Sequence, residues 1–152
     1  MTPAAAVAAA GAAVGIFLLA TGAFVLTTRL IARRRGRIFL EGLGGVVRIG
    51  TPCQLASGRA LVPGTVALTP AGLVWDGLWG HSGSCSFEEI QRLETDEKLA
   101  SRRGFLRSKI LRVTTTSGEV REFVLSPGHA WEWRQALGEW TANRGRIAVA
   151  RG

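Results

Sequence analysis

Four side chains in this sequence could bind a metal ion or attack a substrate. Cys53 and Cys85 are 32 residues apart, His81 precedes Cys85 by four residues, and His129 lies further along the chain. Two thiolates and two imidazoles can form a zinc site, and a cysteine beside a histidine can act as a nucleophile. The sequence nevertheless contains no CxxC or HxxxH pair and no motif of a catalytic cysteine.

These four residues therefore favour a structural interpretation. The cysteines are typical of small core residues, and without an oxidising compartment we expect both thiols to be free. His81 is predicted to lie in a loop and His129 at the start of a helix. We expect no metal, no cofactor and no enzymatic activity. The alternative, a small hydrolase or metal protein, would require the four side chains to converge.

Two pairs of neighbouring acids could suggest acid–base catalysis. Glu88 and Glu89 adjoin, as do Asp96 and Glu97. Neighbouring residues on a strand point to opposite faces, so such pairs cannot share one substrate, and we interpret all four carboxylates as solvated. The chain also lacks the glycine-rich phosphate loops of nucleotide-binding proteins.

Basic residues form two clusters that could contact anionic groups. Five arginines fall within nine residues, while the chain from Ile38 onward carries 14 basic and 11 acidic residues, a net charge of +3. That balance is ordinary for a soluble domain and argues against nucleic-acid binding. Anionic lipid attracts each nearby basic side chain by about 1 kcal/mol, so we predict lipid or partner contacts by both clusters. The juxtamembrane arginines are Arg33, Arg34, Arg35 and Arg37, which follow Arg29, and the second basic cluster is Arg102, Arg103, Arg107 and Lys109.

Arg29 and the juxtamembrane arginines follow a run of 28 residues without charge, from Met1 to Thr28. A helix needs roughly 20 residues to cross the hydrocarbon layer, so this run predicts a single membrane span. Arginine excess marks the cytoplasmic side, which places the N-terminus outside and the rest of the chain in the cytoplasm at the inner membrane. A cleaved signal peptide is the alternative, but it would carry its positive charge before the apolar core.

Small residues in the span could bring two helices together. Gly11 and Gly15 form a GxxxG pair, and Gly22 lies on the same helical face. Small residues let helix backbones approach closely in lipid, so this face could form a homodimer or join other membrane proteins. Chance spacing in an alanine- and glycine-rich segment is the simpler interpretation.

Four glycines between positions 36 and 45 predict a flexible linker and not a continued helix. Beyond the linker, short apolar runs alternate with turn residues, a pattern typical of β-strands. We expect turns at Pro63-Gly64, Pro70-Ala71-Gly72 and Ser117-Gly118. The candidate strands are 46–49, 54–55 with its neighbours, 60–62, 65–69, 73–78, 84–87, 90–95, 110–116 and 120–125.

The last two strands predict a hairpin, and a helix follows it. A three-residue loop with Gly118 in the left-handed region places Leu111 opposite Phe123, and Arg112 opposite Glu122. Ser126 is a good N-cap and Pro127 suits the first helical turn. The apolar face of the helix is Ala130, Trp133, Leu137 and Trp140, Trp131 falls beside it, and the helix ends between Asn143 and Gly145.

This order of elements resembles pleckstrin-homology-like domains, including the GRAM-type variants. The residues that carry the resemblance are "GTVALTPAGLVWDG", "FEEIQRLE", the hairpin and "AWEWRQALGEW". With the membrane span in front, the chain is similar to single-pass bacterial membrane proteins that carry such a domain. The resemblance implies a scaffold that binds lipid headgroups or peptides without doing chemistry. Phosphoinositide-binding members use a dense set of basic residues near the first strand loop. This chain has only Arg48 and Arg59 there, which argues against specific phosphoinositide binding.

Taken together, the sequence predicts an α+β protein: a transmembrane helix followed by a PH-like antiparallel β-barrel or sandwich, capped by a C-terminal α-helix. We expect a membrane-anchored adaptor or regulator that recognises a protein partner or anionic lipid. The alternative is a structural subunit of a membrane complex, assembled through its transmembrane helix. The predicted divisions are 1–35 for the helix with its arginines, 36–45 for the linker, 46–143 for the PH-like domain and 144–152 for a basic tail.

Overall fold

The computed structural model describes residues 3–58, 60–96, 99 and 109–144, with the backbone alone for 3–10 and 140–144. Contacts divide the chain into two compact units, one up to Ile31 and the other from Ala32 onward. The predicted α+β class is confirmed. In chain order the elements are α1 Pro3–Gly42, β1 Ile49–Ser57, β2 Ala60–Leu68, β3 Gly72–Gly77, a 3-10 turn Leu78–Gly80, β4 Gly83–Ser86, β5 Ile90–Asp96, β6 Lys109–Thr115, β7 Val120–Leu125 and α2 Pro127–Arg144.

The first unit is a helix with an apolar surface. Its large side chains are exposed, for example Phe17, Leu19 and Phe24. Helix α1 is long and apolar enough to cross a membrane, as the uncharged run predicts, although a signal sequence near an N-terminus would share both properties.

The second unit, from Ala32 onward, is built on one curled antiparallel sheet, a half-barrel, and we call it the sheet unit. Its seven strands follow the order β4-β3-β2-β1-β7-β6-β5 among the described residues. Strands β3 and β7 are three steps apart, about 14 Å in a flat sheet. The Trp75 and Phe123 ring centroids, one on each strand, are nevertheless 5.5 Å apart, because the sheet curls its inner face upon itself.

The predicted turn at Pro63-Gly64 is wrong, since both residues lie inside β2. Pro63 pairs with Gln54 on β1 and lies one residue beyond the end of the β2–β3 pairing. Its missing N–H therefore interrupts no pairing with β3. Gly64 lies so close to β3 that a Cβ there would be 2.7 Å from the Asp76 carbonyl oxygen. The glycine is thus needed for close packing and not for a turn, and the two predicted strands merge into one.

The predicted hairpin is confirmed in register and in turn geometry. Leu111 pairs with Phe123, and Arg112 with Glu122. Gly118 has a φ of 82°, in the left-handed region. Arg112 Nε donates to Glu122 Oε1 at 2.8 Å, so the expected cross-strand charge pair forms.

Helix α2 covers the inner face of the sheet, as its apolar stripe predicts. Trp133 is fully buried, and its indole N–H donates to Thr51 Oγ1 on β1 at 2.9 Å. Ala130 and Leu137 are also buried, whereas Trp131 is 62% exposed. The Trp140 side chain lies outside the described residues. The buried indole contributes a large apolar area and keeps its polar atom satisfied.

The predicted linker is helical over most of its length, which corrects the expectation of a flexible connector from residue 36. Ala32, Gly36 and Leu40 lie on one face of α1, which faces the rest of the second unit. Ala32 packs on the core, and Leu40 lies against Gly50. Gly36 is buried against Thr65, and a Cβ on it would overlap the Thr65 hydroxyl. Glycine costs helix propensity but permits this close approach, which explains why a helix survives there. The chain leaves the helix through a turn at 43–45.

Candidate functional site

The curled sheet leaves a groove on its open side, which we call the β3–β7 groove. Its floor is the edge-to-face pair of Trp75 on β3 and Phe123 on β7, with an interplanar angle of 61°. Two adjoining cavities of about 240 and 330 Å³ form the groove and share Trp75, Ser82 and Arg121. The groove is therefore large enough for one or two side chains of a ligand.

The walls of the groove are mostly small and polar. Ser84 of β4 lies on one wall, and Thr116 and Ser117 of the β6–β7 turn lie on the other. The Thr116 N–H donates to the Glu89 carbonyl oxygen at 2.8 Å, which ties the β4–β5 turn to the β6–β7 turn. The groove thus has a wall made of two turns that brace each other.

Acidic side chains outnumber basic ones on this wall. Glu89 and Glu119 both line the larger cavity, and Arg121 forms an ion pair with Glu119. Burial raises the pKa of the nearby Cys85 thiol, and the charges of Glu89 and Glu119 raise it further. A ligand with a basic or hydrogen-bond-donating group would suit this wall best.

Two acids that the sequence suggested to be solvated have specific partners. Glu89 lies in the turn after β4, and its Oε2 accepts the Ser86 N–H at 2.8 Å. Asp96 on β5 accepts from Arg112 Nη1 at 3.0 Å, so Arg112 bridges β5 and β7 through Asp96 and Glu122. Both carboxylates therefore serve the fold.

A second polar arrangement, the Arg35 clamp, lies at the end of β3. Arg35 binds Asp76 with two hydrogen bonds, Nε to Oδ2 at 2.5 Å and Nη2 to Oδ1 at 2.8 Å. Ser82 Oγ also donates to Asp76 Oδ1, at 2.5 Å. Arg35 holds the pKa of the Asp76 carboxyl below its ordinary value, against the effect of burial, and Ser82 adds to the lowering. Two parallel N–H···O bonds fix geometry as well as charge.

The predicted contact residues have three different outcomes. Arg33 and Arg34 are exposed on α1, and Arg37 lies 3.7 Å from Glu41. Arg35 is occupied by Asp76, so its predicted lipid contact competes with an existing ion pair. Lys109 opens β6 and pairs with Leu125, whereas Arg102, Arg103 and Arg107 lie outside the described residues.

The glycines predicted to associate all lie on α1. Beyond its own turn of helix, a Cβ at Gly11, Gly15 or Gly22 would meet no atom of the described residues within 4 Å. Helix association through this face stays a prediction.

The cysteines and histidines occupy the places that the sequence indicated. Cys53 and Cys85 are buried free thiols, and burial raises the pKa of Cys53 to about 12. His81 lies in the loop after the 3-10 turn, and His129 lies in the first turn of α2, 3.2 Å from Glu132. Within the part of the chain that the structure describes, no group of three or more His, Cys, Asp or Glu side chains is placed to hold a metal ion.

The sequence did not point to the β3–β7 groove. Trp75, Ser82 and Arg121 belong to strands and loops whose inner face becomes a groove only once the sheet curls. One signal was available: the segment from Gly80 to Ser86, "GHSGSCS", contains no large apolar side chain. A strand without bulky residues leaves space beside its neighbours.

Comparison with known proteins supports the fold alone. No protein-family model matches the chain, and no curated protein matches it. A solved structure that is similar is the crystal structure of the C-terminal domain of an unknown protein from Leishmania infantum. The TM-score is 0.51 at 16% sequence identity, over 72% of this chain and 97% of that one.

Proposed function

We propose that this protein is a membrane-anchored binding module that works without catalysis. Helix α1 would hold the sheet unit at the cytoplasmic face of the inner membrane, and the β3–β7 groove would receive a segment of a protein partner. Seven antiparallel strands followed by a helix match the order of pleckstrin-homology-like domains, and we assign the sheet unit to that fold type as part of the proposal.

The observation that carries the proposal is the β3–β7 groove. Its aromatic floor supplies apolar contact area, and its hydroxyl and carboxylate walls supply hydrogen-bond partners. Binding sites typically combine apolar contact area with a few polar groups that fix the orientation of the ligand. The thiols are poor nucleophile candidates, because both are buried and the pKa of each is raised.

Site-specific photocrosslinking in cells tests the groove. Ser84 and Ser117 are exposed lining residues, whereas Gln91 and Gln135 are exposed and do not line it, so they serve as matched controls. Benzoylphenylalanine replaces these four residues one at a time in the full-length chain. We expect discrete adducts from the two serine positions alone.

A charge reversal sharpens this test. Glu119→Lys should abolish the adducts, because it replaces an acidic side chain of the wall by a basic one. Equal adducts from the glutamines, or none from the serines in a chain that stays in the membrane, would refute partner binding in the groove.

A second candidate ligand is anionic lipid, which the exposed juxtamembrane arginines favour. Arg33 and Arg34 are exposed, and 75% of the Arg37 side chain is exposed. With Arg33, Arg34 and Arg37 changed to glutamine, spin-labelled phosphatidylglycerol should lose its preference for the protein over spin-labelled phosphatidylcholine. An unchanged preference would exclude these arginines as a lipid site.

A further inference from the structure

Trp79 has a backbone conformation that is unusual for a large side chain. Its φ is 56° and its ψ is 34°, and it is the one non-glycine residue with positive φ among the described residues. A bulky L-residue is disfavoured there, because its Cβ crowds the following carbonyl. The Trp79 side chain is also 64% exposed, so burial does little to compensate. Strained residues of this kind concentrate at functional sites.

The loop around Trp79 is firmly held, so the exposed indole does not reflect a loose segment. Leu78 is buried in the core, directly before Trp79. The Gly77 N–H donates to the His81 carbonyl oxygen at 3.1 Å, which closes the loop. A Cβ on Gly77 would be 2.7 Å from the same oxygen, so the closure depends on glycine. The fold thus presents Trp79 outward from a fixed base.

The Arg35 clamp places this loop beside the juxtamembrane part of α1. Asp76, just before the loop, binds Arg35, and Ser82, just after it, binds Asp76. Arg35 is only seven residues beyond Thr28, the end of the uncharged run. Exposed Arg33 and Arg34 precede it on the same helix. The loop is therefore held next to Arg35, one of the juxtamembrane arginines.

We propose that Trp79 inserts into the headgroup layer of the membrane that α1 spans. Tryptophan favours this layer, where its ring is half in apolar surroundings and its N–H meets polar groups, and neighbouring arginines can pair with lipid phosphates. The proposal rests on the membrane anchoring of the proposed function and is independent of any partner in the β3–β7 groove.

Quenching of tryptophan fluorescence by brominated lipid tests the insertion. All five tryptophans follow residue 74, so α1 contributes no signal of its own. The full-length protein is reconstituted in phosphatidylcholine–phosphatidylglycerol vesicles whose acyl chains carry bromine near the headgroups. Trp131, exposed on α2, provides the matched control.

We expect bromine to reduce the emission of the wild type and of Trp131→Phe by the same absolute amount. In Trp79→Phe the reduction should fall to half or less. Trp79→Gly, which accepts the left-handed backbone without strain, should show the same loss and protects the test against a variant that fails to fold. Undiminished quenching in both Trp79 variants, or its loss in Trp131→Phe, would overturn the proposal.

Extraction at alkaline pH separates this inference from the proposed function. A chain that stays in the membrane pellet but shows no Trp79-dependent quenching refutes the insertion alone. A chain released to the supernatant refutes the membrane anchor, and the insertion with it.

Discussion

At the scale of single residues, Arg35 shows how a side chain that suggests lipid binding can serve the fold. The sequence places it in an arginine cluster beside an apolar run, and nothing local marks it off from Arg33 or Arg34. Its partner Asp76 is 41 residues away, so the pairing depends on how β3 is placed. Long-range partners of this kind are the part of a site that sequence patterns cannot supply.

The Arg35 clamp predicts a specific pH dependence. Because the folded pKa of Asp76 lies below its unfolded value, the ion pair stabilises the fold above about pH 4 and is lost as the pH falls further. With Arg35 46% exposed, solvent screening limits the contribution to about 1 kcal/mol. Thermal unfolding of the wild type and Asp76→Asn should therefore differ by a constant amount from pH 8 to 5 and converge below pH 4. A gap that widens on acidification would contradict this sign.

The buried thiols predict slow chemical modification. With the pKa of Cys53 near 12, its thiolate fraction at neutral pH is reduced roughly a thousandfold from that of a free thiol. Single-cysteine variants, Cys53→Ser and Cys85→Ser, should react with a maleimide at least ~100-fold more slowly when folded than in denaturant. A native rate within tenfold of the unfolded rate would show that the core opens readily.

At the scale of elements, the structure divides into parts that local patterns predict and parts that they do not. The hairpin register and the buried face of α2 follow from alternation, charge pairing and helical periodicity, and all were predicted. Gly36 and the Pro63-Gly64 pair were misassigned, because glycine and proline signal breaks locally but serve close packing here. The β3–β7 groove was missed because strand curvature is a property of the assembled sheet.

Two glycine substitutions on different helices should differ in their effect on stability. Gly36→Ala should destabilise the fold by about 1–3 kcal/mol, because its Cβ overlaps the buried Thr65 hydroxyl. Gly138→Ala on α2 should be neutral or stabilising by up to about 1 kcal/mol, since, apart from its own turn of helix, its Cβ would meet no atom of the described residues within 4 Å. Chemical unfolding in detergent gives both values.

The pairing with Thr65 can be examined separately. Thr65→Ala in the Gly36→Ala background should recover part of the lost stability, because it removes the overlapping hydroxyl. Two substitutions whose costs simply add would show that Gly36 does not depend on this contact.

At the scale of the whole molecule, the arginine asymmetry predicts which side of the membrane holds the sheet unit. Ser84→Cys provides an exposed thiol, while Cys53 and Cys85 are buried and should stay unlabelled. An impermeant maleimide should then label the full-length variant in inverted vesicles and leave right-side-out vesicles unlabelled. The reverse pattern would place the sheet unit outside. It would show that the juxtamembrane arginines do not determine the orientation of the chain.

The unclosed sheet also bears on aggregation. In the described sheet, β4 and β5 are the edge strands, and each has one side that pairs with no strand. If copies are confined to a membrane, these edges would meet more often. Strand β4 has only four residues, too few to template a neighbour. Strand β5 has a bulge between Ile90 and Arg92 and an ion pair between Arg92 and Glu94 at 2.6 Å. Shortness, irregularity and charge at these two edges would keep crowded copies from pairing edge to edge.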